Sequence, residues 1–100
     1  GIVTTSEELK CYSIVKTILA MSSKVKSSDL DRIGYRDYKG FFSILVDNNQ
    51  RKVFCYFKLK DHTKSIVIND NEYNIKNVNV KTIIKYKKEI SDSANSQLES

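Results

Sequence analysis

The residues with the most obvious chemical potential are Asp37, Lys39 and Asp47. Carboxylates on adjacent strands of a hairpin can hold a divalent ion against a scissile phosphate. A lysine beside them can stabilise the charge that develops there. Asp37-Tyr38-Lys39 is an acid-x-lysine triplet of the kind metal-dependent nucleases use, and Glu8-Leu9-Lys10 is a second. The pattern is incomplete. On the strand where the lysine is expected the chain reads Cys55-Tyr56-Phe57-Lys58, with aromatics where a carboxylate should stand. Such triplets also arise by chance in a lysine-rich chain. Asp37, Lys39 and Asp47 are therefore weak catalytic candidates, and no complete catalytic site is expected.

Other chemistries find less support. His62 is the single histidine and falls in a predicted turn without further ligands around it, so no metal site is expected. Cys11 and Cys55 lie among apolar neighbours in two different elements and read as reduced thiols packed as small hydrophobes. Neither has a partner histidine on a plausible strand end, as a nucleophilic dyad would need. Gly1, Gly34 and Gly40 are too scattered to present consecutive amides to a nucleotide phosphate, and no cofactor is expected.

The basic residues are the better lead. The chain carries a formal charge of +5, and residues 51–90 hold ten Lys or Arg against four acids. Such asymmetry points to a polyanion, although a lysine-rich solvated surface explains it equally well. Arg51, Lys52, Lys58, Lys60 and Lys64 lie on or beside a predicted hairpin. Lys81, Lys85 and Lys88 follow at i, i+4, i+7 on one side of a predicted helix. These eight are the candidate nucleic-acid-binding residues, because ammonium and guanidinium groups can bind phosphates without reading sequence. Phe41, Phe42, Phe54 and Phe57 read as core. Tyr35, Tyr38 and Tyr56 could be core or could stack bases.

The elements that must position these groups are legible in the periodicity. Thr5-Ser6-Glu7-Glu8 is a capping-box pattern opening an amphipathic helix over residues 6–22, with Leu9, Tyr12, Val15, Ile18 and Leu19 on its stripe. A serine-rich loop follows. Residues 33–38, 41–46, 53–59 and 64–68 read as strands. The turns between them use Lys39-Gly40, Asp47-Asn48-Asn49-Gln50 and Lys60-Asp61-His62-Thr63. Asn69-Asp70-Asn71-Glu72 makes another turn, with Tyr73 and Ile75 covering the sheet edge. Asn77 or Asn79 caps a second helix ending near Glu89. The expected fold is α+β: an N-terminal helix, an antiparallel meander of three or four strands, and a C-terminal helix, a degenerate nuclease-like mini-core.

One hundred residues suffice for one core, placed at residues 1–90, with 91–100 expected to be a disordered tail. No apolar run approaches the ~20 residues of a membrane-spanning helix, and no membrane partner is expected. The first residues run directly into a polar helix start, so no signal peptide is read and a cytoplasmic location is expected. The chain opens at Gly1 without methionine, which reads as a fragment of a larger protein.

Taken in order, several pieces carry a family resemblance. Residues 2–9 (Ile-Val-Thr-Thr-Ser-Glu-Glu-Leu) and 12–19 (Tyr-Ser-Ile-Val-Lys-Thr-Ile-Leu) come first. Tyr35-Arg36-Asp37, residues 42–49, Arg51-Lys52, Cys55 and Ile83-Ile84-Lys85-Tyr86 follow. This series resembles the C-terminal module of bacterial restriction-endonuclease-like proteins named after the type I restriction enzyme R subunit. The resemblance implies that cleavage chemistry lies in a separate N-terminal domain of such a protein. The module would then be an accessory that binds DNA or packs against the rest of the parent protein. No catalytic residue is carried over by it. The leading expectation is a noncatalytic DNA-binding or positioning module. A protein-interaction or assembly domain is the alternative, and a residual metal-dependent nuclease comes third.

Overall fold

The computed structural model describes residues 3–60 and 62–100. Helix α1 spans Ser6–Ala20 and begins as the capping box requires. The Glu8 amide donates to Thr5 Oγ1 at 3.1 Å, and the Thr5 amide donates to Glu8 Oε1 at 2.8 Å. A 3-10 turn over Ser27–Arg32 leads into the sheet. Its strands are β1 (Ile33–Tyr38), β2 (Phe41–Val46), β3 (Val53–Leu59), β4 (Lys64–Ile68) and β5 (Asn71–Ile75). All neighbours are antiparallel and the spatial order is β1-β2-β3-β4-β5. The fold is the α+β class expected, but the meander has five strands rather than three or four. The residues read as an edge cover form β5, with Tyr73 and Ile75 turned to the core and Glu72 and Asn74 away from it.

Turn chemistry fixes the hairpins. Asp47 and Asn48 have φ of 58° and 52°, and Asn69 and Asp70 have 49° and 66°, a left-handed backbone that short polar side chains tolerate. Gly40 has a φ of 97° and lets Lys39-Gly40 close β1 onto β2 in two residues. The expected turn at 60–63 includes Asp61, which lies outside the described residues.

Helical structure closes the chain. Asn79 caps α2 (Val80–Ile83), accepting from the Thr82 amide at 2.8 Å. A 3-10 turn at Ile84–Tyr86 joins it to α3, Lys87–Glu99. The expected disordered tail at 91–100 is therefore corrected: residues 91–99 are helical, and Ala94 and Leu98 are buried in the core. Ser91 and Ser93 are buried too. Small side chains let this helix lie close to the sheet, where a longer polar residue would need room.

Both long helices cover one side of the sheet. Cys11, Ile14, Val15, Ile18 and Leu19 of α1 and Ile90, Ala94 and Leu98 of α3 share one cluster with the strands. Phe42, Ile44, Val46, Cys55, Phe57, Ile66 and Ile68 supply the sheet's part. The opposite side of the sheet has no helix on it among the described residues. Cys11 and Cys55 are free and buried, and burial beside Glu7 and Glu8 pushes the Cys11 thiol up to about 12. Such thiols stay protonated and unreactive at neutral pH. No helix among the described residues is long and apolar enough to cross a membrane.

Candidate nucleic-acid interface

Side chains alternate across a strand, so if Phe42, Ile44 and Val46 face the helices, Phe41, Ser43 and Leu45 face away. Register carries the same side across all five strands. Arg36, Ser43, Tyr56, Val67 and Glu72 stand opposite one another in a continuous row. The next row toward the Gly40 turn contains Tyr38 and Phe41, with Lys58, Ser65 and Asn74 beyond them. Ser43 and Ser65 are 1% exposed, covered by the longer side chains around them.

Three aromatic rings on three adjoining strands meet there. Tyr38 and Phe41 stack with centroids 4.9 Å apart and planes 18° from parallel. Phe41 then meets Tyr56 edge-on at 5.5 Å. Phe41 is 38% exposed, so its reading as core is corrected, whereas Phe42, Phe54 and Phe57 are core as expected. Tyr35 belongs to the other side: it packs against Tyr12 at 5.0 Å and Phe42 at 5.2 Å.

Cations share this face. Arg36 donates to the Asn48 carbonyl at 3.0 Å and to Asn48 Oδ1 at 2.8 Å, neutral partners that hold its guanidinium toward the end of β2 opposite the rings. Lys58 lies 3.3 Å from Glu72, and Ser65 Oγ donates to the same carboxylate at 2.8 Å. The Ser65 hydrogen bond and then the Lys58 contact hold the Glu72 carboxyl below the usual range. Lys39 and Lys60 are exposed near the Gly40 end, Lys60 in a shallow depression lined also by Tyr38, Gly40 and Phe41 and by Glu7 and Glu8 at the start of α1.

The other predicted basic residues lie elsewhere. Lys64 is on the helical side, 2.8 Å from Glu7. Arg51 and Lys52 form a 3-10 turn before β3, and Lys52 donates to the Ser100 carbonyl at 3.0 Å and contacts Asp47 at 3.5 Å. Lys81, Lys85 and Lys88 are exposed on the helical layer, and Lys88 lines a groove of about 510 Å³ between the end of α1 and the start of α3. The eight candidates are thus divided between layers. Arg36 and Phe41 were missed as site residues, although the alternation Arg36, Tyr38 and then Phe41 across a two-residue turn carries the signal.

The nuclease constellation does not assemble. Asp37 is opposite Phe42 on the hairpin, and Asp47 follows five residues further along β2. At ~3.3 Å per residue that puts them about 16 Å apart, far beyond what one metal ion can bridge. Asp47 is instead held by Arg32, which donates to Oδ1 and Oδ2 at 2.8 Å each and brings the carboxyl down to about 2. Asp37 lies on the helical side with Oδ2 buried and unbonded, and Lys39 is exposed in the turn. Among the described residues no group of three His, Cys, Asp or Glu could hold a metal ion. His62 is exposed, as expected of a turn residue.

No protein family, curated protein or solved structure matches the chain.

Proposed function

We propose that the chain is a noncatalytic module that binds and positions DNA through its uncovered sheet face, as an accessory to a restriction-type protein. The observation that carries this reading is the Tyr38–Phe41–Tyr56 ring cluster, partly exposed on a face with no helix over it among the described residues, with Lys39, Lys58 and Lys60 near it and Arg36 further along the same face. Partly exposed rings among cations are poorly explained as core, and they suit a polyanion that also presents flat apolar surface. The resemblance to the type I R-subunit class gives DNA as the polyanion.

Neutralising Lys58, Lys60 and Lys85 together to Gln tests the reading by anisotropy of a labelled duplex at low salt. Affinity is expected to fall several-fold; unchanged binding would remove the reading. Comparing Arg36→Gln/Lys60→Gln with Lys81→Gln/Lys85→Gln then assigns the effect to the sheet face or the helical layer.

The same exposed Phe41 favours a second reading, in which this face docks on the rest of the parent protein or on a second copy. Sedimentation as a monomer at high concentration, with no association to the parent's remaining region, would count against it.

A further inference from the structure

We infer that the sheet face takes unpaired bases, so that the preferred ligand is single-stranded DNA rather than duplex. This rests on the DNA-binding reading and narrows it. The rings of Tyr38, Phe41 and Tyr56 belong to three consecutive strands, with Phe41 in the middle, 4.9 Å from Tyr38 and 5.5 Å from Tyr56 centroid to centroid. Strands are spaced ~4.8 Å apart, so the three ring-bearing strands span about 10 Å, with Tyr38 stacked on Phe41 and Tyr56 edge-on to it. Sheet platforms of that width in other folds stack about two or three bases.

A duplex cannot use such a platform. Its bases are already stacked on one another, and only its edges and phosphates reach a flat protein surface. The rings would then remain idle, and binding would come from lysine and arginine charge alone. An unpaired strand can lay bases on the rings while its phosphates reach outward to the cations. Stacking of this kind tolerates any base, because every base has a π-face.

Charge placement gives the strand a path. Arg36 stands on β1 in the row next to Tyr38, and its guanidinium reaches the neutral Asn48, beyond the end of β2 opposite Gly40, where it can take a phosphate oxygen of a strand that extends past the rings. Lys39 and Lys60 stand at the Gly40 end of the cluster. Toward β5 the face turns acidic, with Glu72 held in its ionised form by Ser65 and Lys58, and Asp70 in the adjoining turn. The unpaired cations of the face therefore lie on β1 and at the Gly40 end, and its acids lie toward β5 and at the start of α1.

The test uses the full chain, a labelled 12-mer of dT, and a duplex of equal length, read by anisotropy at one low salt concentration. The proposal expects the single strand to bind at least tenfold tighter than the duplex. Phe41→Leu keeps apolar bulk but removes the ring, and should weaken the single strand about tenfold while leaving the duplex within twofold. Phe41→Tyr should restore the wild-type preference, which separates stacking from a folding defect. Equal affinity for both ligands, unaffected by Phe41→Leu, would overturn the proposal and leave the charge-based DNA reading standing. Failure of both ligands to bind would overturn the two together.

Discussion

Ser93 on α3 donates a buried hydrogen bond of 2.7 Å to the carbonyl of Phe54. Phe54 is the residue left without a partner where the β2–β3 register shifts, between Ile44↔Cys55 and Leu45↔Val53. A bulge frees backbone groups from the ladder, and here the last helix supplies the missing donor. Sheet and terminal helix are thereby tied at the register shift.

Ser93→Ala removes that donor and strands a buried carbonyl. The expected loss is ~1–2 kcal/mol, read as a lower denaturant midpoint with an unchanged slope. A midpoint equal to wild type would mean that the Ser93–Phe54 hydrogen bond contributes nothing to stability.

The Arg32–Asp47 pair predicts a pH dependence. Asp47 has a folded value of about 2 against an ordinary carboxyl value of ~3.9, because Arg32 bonds both its oxygens. A depressed folded value contributes stability above the unfolded value and loses it as pH falls through the folded one. Asp47→Asn preserves the left-handed turn and removes the charge. The melting-temperature gap between wild type and Asp47→Asn should be constant from pH 5 to 7 and close between about pH 4 and pH 2. A gap unchanged at pH 2 would contradict the assignment.

The separation of Asp37 from Asp47 predicts no metal-dependent cleavage. Supercoiled plasmid incubated with the chain and magnesium or manganese should show no nicking above that of an Asp47→Ala control. Cleavage by wild type and not by the control would restore the nuclease reading.

Much of the fold is legible in the residues. Thr5 and Glu8 specify the start of α1, and the Asn/Asp pairs at 47–48 and 69–70 specify left-handed turns. β5 is obscured because three of its residues are Asn or Glu; only the spacing of Tyr73 and Ile75 betrays a strand. The last helix is obscured for a different reason. Its buried face is largely Ser91, Ser93 and Ala94, whose small size matters through closeness of packing, which composition does not reveal. Phe41 and Phe42 look alike in sequence, and only the period of two separates the core ring from the exposed one. The lysines show the sign of the surface but not its side: Lys58 and Lys64 sit near each other in the chain and on opposite faces of the sheet.

The central claim is that this chain binds DNA through phosphate contacts. Anisotropy of a labelled duplex across a salt series tests it most directly. The account predicts log affinity falling linearly with log salt, with a slope near −0.9 per phosphate neutralised, and a shallower slope for Arg36→Gln/Lys60→Gln. No binding even at the lowest salt would contradict it and favour a module that docks on other protein.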